Sequence, residues 1–194
     1  AANAPELIGK IIAGEAIFAF AYAEPQGRYN LADLKTTAKK DGGSYVLNGH
    51  KAVVIGAPYA THLIVTARTG GGQRDAQGVS VFIVPKDAAG VTTRDYPTVD
   101  GFRASEVTLE NVKVGADALL GAEGGGLPLV EKVVDEAIAA TCAEACGVLR
   151  KLHDGTLEYT KQRKQFGQPI SAFQVLQHRM VDMFINVEQA ISMT

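Results

Sequence analysis

Residues 16–114 contain a series of short strand-like segments, and no helix-forming run of ten or more residues separates them. The segments are rich in Val, Ile, Thr and Phe and are bounded by Gly, Pro, Asn or Asp, which is typical of β-strands. They are IFAFAYA, SYVLNGHKAVVIG, HLIVTART, VSVFIVP, GVTTRDY and EVTLENVKV. Because parallel strands are usually joined by a helix, this pattern favours an antiparallel β-barrel or β-sandwich over a doubly wound sheet. Asp41-Gly42 and Asn48-Gly49 are both typical of hairpin turns.

The pattern becomes helical after LLGAEGGG. Apolar residues recur at helical spacing from about Leu127 to Gln165, and Gly167-Gln168-Pro169 ends this helix. A second helix is predicted after Ser171, its expected N-cap, and runs to the end of the sequence. Two long helices need further helical partners to bury their apolar faces, so we expect part of a four-helix bundle.

The predicted fold class is therefore α+β, with three parts along the chain. Residues 1–15 are expected to be the end of an N-terminal helical domain. Residues 16–120 form the β-barrel domain, and residues 121–194 begin a truncated helical-bundle domain.

Composition and charge exclude several classes of function. A formal net charge of −2 gives no electrostatic field for binding nucleic acid. No apolar run approaches the ~20 residues that span a bilayer, and the first residues lack the layout of a signal peptide, so a cytoplasmic location is expected. Cys142 and Cys146 are predicted to be small buried thiols, and the sequence shows no ligand spacing for a metal.

Several motifs occur in a fixed order: AYAEPQGRYN, YVLNGHKAVVIGAP, DGFRASEVTLENVKV, LLGAEGGGLPLV and RKQFGQPISAFQVLQ. Together they resemble the acyl-CoA dehydrogenase family. The first is similar to its Thr-Glu-Pro-x-x-Gly-Ser-Asp loop, and the second to its Tyr-x-Leu-Asn-Gly-x-Lys-x-Trp-Ile-Thr-Asn hairpin. The last is similar to its Arg-x-x-Phe-Gly-x-x-Ile-x-x-x-Gln pattern. The resemblance covers essentially the whole chain and corresponds to the middle β-domain and the first two C-terminal helices.

The resemblance implies an FAD-dependent enzyme that desaturates an acyl-CoA between Cα and Cβ, with hydride transfer to the flavin. In the family, FAD lies between the β-domain and the C-terminal helices, and the Arg matching Arg163 pairs with the FAD pyrophosphate of a neighbouring subunit. The implied partners are an electron-transferring flavoprotein or similar acceptor and further subunits of a homo- or hetero-oligomer, expected to be a tetramer. The residues implied to contact FAD are Tyr22, Ala23, Tyr29, Val53, Ile55, Arg163, Phe166 and Gln174, and those implied to contact substrate are Tyr29 and Asp135.

Several of these positions differ from the family pattern. Its Thr-Glu-Pro is Ala23-Glu24-Pro25, its Ser-Asp is Tyr29-Asn30, and its Trp-Ile-Thr is Val53-Val54-Ile55 in a chain without Trp. These changes remove hydrogen bonds to FAD and predict a weakened or rebuilt flavin site. The chain keeps the RKQFG motif, which in the family serves a neighbour's flavin. This combination of a kept motif and lost contacts resembles the small subunit of two-component enzymes of the pimeloyl-CoA dehydrogenase type.

Three hypotheses about function follow. The first is catalytic desaturation of an acyl-CoA, for example a dicarboxylyl-CoA such as pimeloyl-CoA. The second is a non-catalytic subunit that completes the FAD site of a homologous subunit, and the third is oxidation of another substrate, such as a nitroalkane or an acyl-ACP. No catalytic residue is predicted, because the family's base is usually a Glu on a later helix and its other position matches Ala137 here. On a helix, nearby side chains point in different directions, so Asp135 and Glu136 are not expected to replace a base at position 137.

Overall fold

The computed structural model describes residues 4–194, which form two compact units. The first, the sheet unit, ends at Glu131, and the second, the helical unit, is Lys132–Thr194. The helices are α1 (Ala4–Ile12), α2 (Leu127–Gln162) and α3 (Gln174–Met193). The strands are β1 (Phe18–Ala21), β2 (Thr37–Asp41), β3 (Ser44–Ile55), β4 (His62–Arg68), β5 (Val79–Pro85), β6 (Val91–Pro97), β7 (Arg103–Gly115), β8 (Leu119–Leu120), β9 (Lys164–Gln165) and β10 (Gln168–Pro169).

The sheet unit contains one eight-stranded sheet in the order β6-β7-β3-β2-β4-β5-β8, with β1 beside β4. Most neighbours are antiparallel, as the sequence predicts, and long helices follow the sheet. A closed barrel does not form within the described residues, because the path ends at β6 and β8. The β1–β4 pair is parallel, and so is the single pair of residues that joins β2 to β4. The prediction of antiparallel neighbours is wrong for the β1–β4 pair. These two strands are parallel because the β2–β3 hairpin, rather than a helix, connects β1 to β4.

The core of the sheet unit is built from side chains at alternate positions along the strands. It includes Tyr45, Leu47, Leu63, Val65, Phe82, Val84, Val107, Leu109 and Val112. In β3, Tyr45, Leu47 and Lys51 are all buried at core-facing positions. One of these positions is therefore occupied by a charged side chain.

Only one of the two turns predicted around β3 is present. Gly42, with φ 60°, lies in the turn between β2 and β3, as expected. Asn48-Gly49 does not form a turn, because β3 continues through both residues. The glycine is required there since a Cβ would collide with the side chain and backbone of Thr36.

The helical unit is an antiparallel pair made by α2 and α3. Thr160 Oγ1 lies 3.3 Å from Met180 Sδ, and the rings of His153 and Phe184 lie 5.8 Å apart. The predicted helices are confirmed, but α2 ends at Gln162. The prediction of Ser171 as N-cap is wrong: it lies in a 3-10 turn, and Phe173, which has no capping group, precedes α3.

Candidate functional site

The segment after β1 is a chain of three tight turns. The backbone N–H of Gly27 donates to Glu24 O at 3.0 Å, that of Asn30 to Gly27 O at 2.8 Å, and that of Asp33 to Asn30 O at 3.1 Å. A Cβ at Gly27 would lie 3.1 Å from Asp33 O and 3.3 Å from Asn30 O, so the turns pack closely at this glycine. The apolar strand ends here because these turns reverse the chain and leave Tyr29 fully exposed at their outer side.

Glu24, the acid that follows β1, is buried beneath these turns. Its Oε1 lies 2.7 Å from Lys51 Nζ, and the two side chains are 1% and 0% exposed. Oε1 also accepts the Thr36 N–H at 3.1 Å, and Oε2 accepts the Lys35 N–H at 2.7 Å. Lys51 Nζ donates a second hydrogen bond, to Thr66 Oγ1 at 3.0 Å. The carboxylate therefore joins the turns to β3 and β4.

The two charges of this pair persist at neutral pH. Burial opposes ionisation of Glu24, but the Lys51 charge and the surrounding donors outweigh it and lower the pKa of the carboxyl. Burial lowers the pKa of Lys51 to about 8, against the raising effect of Glu24. At pH 7 the carboxylate and the ammonium are thus both ionised.

Strand β3 bulges immediately after Lys51. The register against β7 shifts between Lys51 and Val54, so that Ala52 and Val53 both lie opposite the single residue Glu106. The backbone N–H of Ala52 leaves the ladder and donates to Ala23 O at 2.9 Å. The bulge therefore ties β3 to the first residues of the turn segment.

Beyond the bulge, β3 presents an apolar surface to the outside of the sheet unit. Val53 and Ile55 are 54% and 62% exposed, whereas Val54 between them is buried. Next to them, Tyr22 and Ala23 are partly exposed. The candidate residues of the sheet unit, apart from Tyr29, thus lie close together around the Ala23–Ala52 hydrogen bond.

A polar loop between β4 and β5 supports the turn segment from its other end. Arg68 is buried and donates to four backbone carbonyls, among them Ala32 O and Asp75 O, each at 2.6 Å. The carboxylate of Asp33 accepts hydrogen bonds from Gln73 Nε2 at 2.6 Å and Arg74 Nε at 2.7 Å. The turns are therefore held on both sides, by Glu24 and by this loop.

The remaining candidate residues lie in the helical unit. Arg163 precedes the β9–β10 hairpin, and Phe166 and Gly167 form its tip with φ 52° and 79°. Arg163 is exposed and Phe166 is 91% exposed, its ring packing edge-on against Phe173 with centroids 6.1 Å apart. Gln174, the first residue of α3, and Asp135, on α2, are also exposed.

Glu24, Lys51 and Glu106 were not among the predicted site residues. The sequence does indicate Lys51, because it is a charged residue at a core-facing position of a strand in which buried and exposed residues alternate. A buried charge is normally paired, but this signal does not indicate which of the 21 acidic residues is the partner of Lys51. Nothing local marks Glu106, whose role depends on the register of the bulge.

These side chains offer part of what FAD requires. Exposed Val53 and Ile55 provide an apolar surface for a planar aromatic ring, and Arg163 provides a guanidinium of the kind that binds phosphate. Positions 23, 29 and 55 are Ala, Tyr and Ile and supply no aliphatic hydroxyl. The sheet unit by itself thus offers an apolar surface, and the helical unit by itself offers a side chain suited to a phosphate.

Residues 4–194 contain no helix with the length and apolarity that crossing a membrane requires. Within the same range, no group of three or more His, Cys, Asp or Glu side chains is arranged to hold a metal ion.

Two protein-family models match the chain. The model described as acyl-CoA dehydrogenase, middle domain, matches residues 19–112, and the one described as acyl-CoA dehydrogenase, C-terminal domain, matches residues 124–194. The probable acyl-CoA dehydrogenase YngJ of Bacillus subtilis (strain 168) is 36% identical over 186 residues, which are 94% of this chain and 49% of YngJ.

Solved structures show the same fold. A probable acyl-CoA dehydrogenase from Mycobacterium abscessus has a TM-score of 0.90 at 25% identity, covering 97% of this chain and 50% of that chain. The FAD complex of PigA has a TM-score of 0.89 at 29% identity, covering 95% and 49% of the two chains. This chain thus spans about half the length of the proteins that it matches.

Proposed function

Because the chain belongs to the acyl-CoA dehydrogenase family, we propose that it is part of an FAD-dependent enzyme that introduces a Cα–Cβ double bond into an acyl-CoA. The observation that carries this proposal is the RKQFG hairpin, which leaves Arg163 and Phe166 exposed. Phe166 adopts a left-handed conformation that is costly for a bulky residue, and such strain is concentrated at ligand sites. An exposed guanidinium and an exposed aromatic ring in the same short segment suit a phosphate attached to an aromatic ligand.

Each candidate residue has a distinct role in this proposal. Val53 and Ile55 pack against the face of the ring, next to the backbone of Tyr22 and Ala23. Bound FAD supplies the acceptor for the hydride that leaves Cβ. Tyr29 contributes a phenol, able to donate or accept a hydrogen bond, where the ring and the acyl-CoA meet.

In the helical unit, Arg163, Phe166 and Gln174 bind the FAD pyrophosphate of a neighbouring subunit, and Asp135 faces the substrate. The α-proton needs a base, and we assign none within residues 4–194.

We further propose an oligomer, expected to be a tetramer, in which other helices cover the helical unit. Its support is the exposure of large apolar side chains such as Ile138, Leu152 and Phe184. The proposed substrate is a dicarboxylyl-CoA such as pimeloyl-CoA, the acceptor an electron-transferring flavoprotein or a similar protein, and the location the cytoplasm. The support for this substrate is the sequence resemblance to the two-component enzymes.

A second candidate function is a non-catalytic subunit that completes the FAD site of a homologous partner. The observation that favours it is the absence of an aliphatic hydroxyl at positions 23, 29 and 55, where the family pattern supplies one. Such a subunit would keep Arg163 and Phe166, which serve the neighbour's flavin, while losing contacts to a flavin of its own.

The visible absorption spectrum of the full-length protein separates the two functions. We expect a flavin band from the protein purified alone, and bleaching of that band when an acyl-CoA is added. A colourless protein that yields a yellow complex only with a homologous partner would support the second function. A colourless protein in both preparations would contradict both.

A further inference from the structure

Two bulges interrupt the pairing of β3 with β7. Each bulge contains one residue with a left-handed backbone conformation, and the two residues are of different types. On β7 the residue is Asn111, with φ 53°, and its backbone N–H donates to Asn48 Oδ1 at 2.8 Å. On β3 it is Val53, with φ 52°. Asn tolerates this conformation, whereas a β-branched residue rarely adopts it. Val53 therefore needs a restraint from outside its own strand.

Two neighbouring elements, the residues after β1 and strand β7, flank the β3 bulge. Ala52 donates to Ala23 O, as described above. Glu106 on β7 lies directly opposite the two bulge residues, Ala52 and Val53. Burial alone would raise the pKa of Glu106, but Tyr96, His50 and the Val53 N–H together lower it.

Neighbouring strands hold the Glu106 carboxylate at both oxygens. The Tyr96 hydroxyl on β6 donates to Oε1 at 3.0 Å, and His50 Nε2 on β3 lies 2.7 Å from Oε2. The other ring nitrogen of His50, Nδ1, lies 3.3 Å from Thr108 Oγ1 on β7. The carboxylate is thus fixed by three strands, although its side chain is still partly accessible to solvent.

We infer that Glu106 is a positioning residue: held by Tyr96 and His50, it fixes the β3 bulge and thereby the direction of Val53 and Ile55. A loss of the bulge would shift the register by one residue, and a one-residue shift turns each following side chain to the other face. Val54, now buried, would then compete with Val53 and Ile55 for the outer surface. The effect on the strand follows from the geometry alone, whereas its consequence for FAD rests on the proposed function.

Hydrogen exchange in the full-length protein tests the effect on the strand. Glu106→Gln should raise the exchange rate of the peptide 50–56 by about tenfold or more, because a neutral amide holds His50 and Tyr96 less strongly than the carboxylate does. The peptide 62–68, in β4, should keep its rate. Glu110→Gln is the matched control, since Glu110 is an exposed acid on the same strand. Equal rates in the wild type and Glu106→Gln, or an equal rise in both peptides, would overturn the inference.

Two further measurements keep the inference testable. If Glu106→Gln does not fold, Tyr96→Phe can be used instead, because it removes one donor to the carboxylate. It should raise the exchange rate of the peptide 50–56 but not that of 62–68. An unchanged rate in 50–56 would overturn the inference. In the flavin-bound assembly, Glu106→Gln should alter the visible circular dichroism of FAD, whereas Glu110→Gln should not. An unchanged dichroism would overturn the positioning of Val53 and Ile55 toward the ring. An assembly without flavin would contradict the proposed function, and the exchange experiment would still decide the role of Glu106.

Discussion

Replacing Lys51 with Met should destabilise the sheet unit strongly. The substitution removes the ammonium and keeps an unbranched side chain of similar length. Glu24 would remain buried, with the N–H donors of Lys35 and Thr36 but without a countercharge. Met also lacks the Nζ donor to Glu24 and Thr66, and because both side chains of the pair are at most 1% exposed, water cannot take its place.

The expected loss follows from the burial of the pair. Removing one partner of a fully buried ion pair costs about 3–5 kcal/mol of the free energy of unfolding. For a unit of this size that loss lowers Tm by about 10–20 °C. The double variant Glu24→Gln/Lys51→Met removes both charges and should recover about 1–3 kcal/mol relative to the sum of the single variants.

Urea unfolding followed by tyrosine circular dichroism is a suitable assay, because five of the six tyrosines lie in the sheet unit and the chain has no Trp. Lys113→Met is the matched control. Its ammonium lies 2.9 Å from Asp41, but both side chains are at least 60% exposed. A surface pair of this kind contributes about 0–1 kcal/mol. A loss in Lys51→Met no larger than that in Lys113→Met would refute the reasoning.

The same pair predicts a pH dependence. The pKa of Lys51 is lowered to about 8 from its ordinary 10.5. Between these two values the unfolded chain binds more protons at this site than the folded chain, so the site makes the free energy of unfolding rise with pH. The difference in stability between wild type and Lys51→Met should therefore grow from about pH 8 to pH 10, by at most about 1.4 kcal/mol per pH unit. A difference that shrinks over this range would contradict the lowered pKa.

Two further predictions concern the proposed ligands. Arg163→Ala should lower FAD retention by the complete assembly about tenfold or more, because a charge-assisted contact with phosphate is lost. FAD content after gel filtration measures this, with Arg179→Ala, an exposed Arg on α3, as control; equal retention in the two variants would exclude the contact. Tyr29→Ser should change the affinity for FAD or for CoA in calorimetric titrations. Because Tyr29 is fully exposed, stability should change by less than about 0.5 kcal/mol, and unchanged affinity for both ligands would mean that Tyr29 touches neither.

Much of the fold could be predicted from the sequence because its signals are local. Alternation of apolar residues and turn-forming glycines predicted β3, and the helical spacing predicted the start of α2 at Leu127. The motifs placed the candidate residues in both units. The parallel β1–β4 pair was not predicted, because it depends on where the β2–β3 hairpin returns the chain.

The support of the candidate site could not be predicted because its contacts join distant parts of the chain. Lys51 and Glu24 are 27 residues apart, and neither residue alone identifies the other. The bulge at Val53 depends on how β3 pairs with β7, and the run Val-Val-Ile does not indicate that pairing. Asn48-Gly49 gave a misleading turn signal, because the glycine serves a close approach by Thr36.

The buried pair and the Val53 bulge that support the candidate residues both carry a cost in stability. A buried ion pair is rarely the most stable solution, since apolar residues of similar volume often replace it with a gain in stability. A β-branched residue in the left-handed region adds a further cost of about 1–3 kcal/mol. Well-packed apolar residues in place of the pair, and a regular strand at Val53, would avoid these costs. The pair and the bulge adjoin the candidate residues: Glu24 follows Ala23, Lys51 precedes the bulge that contains Val53, and the Ala52 N–H in that bulge donates to Ala23 O. Supports of this cost next to Ala23 and Val53 are what the proposed ligand surface would require.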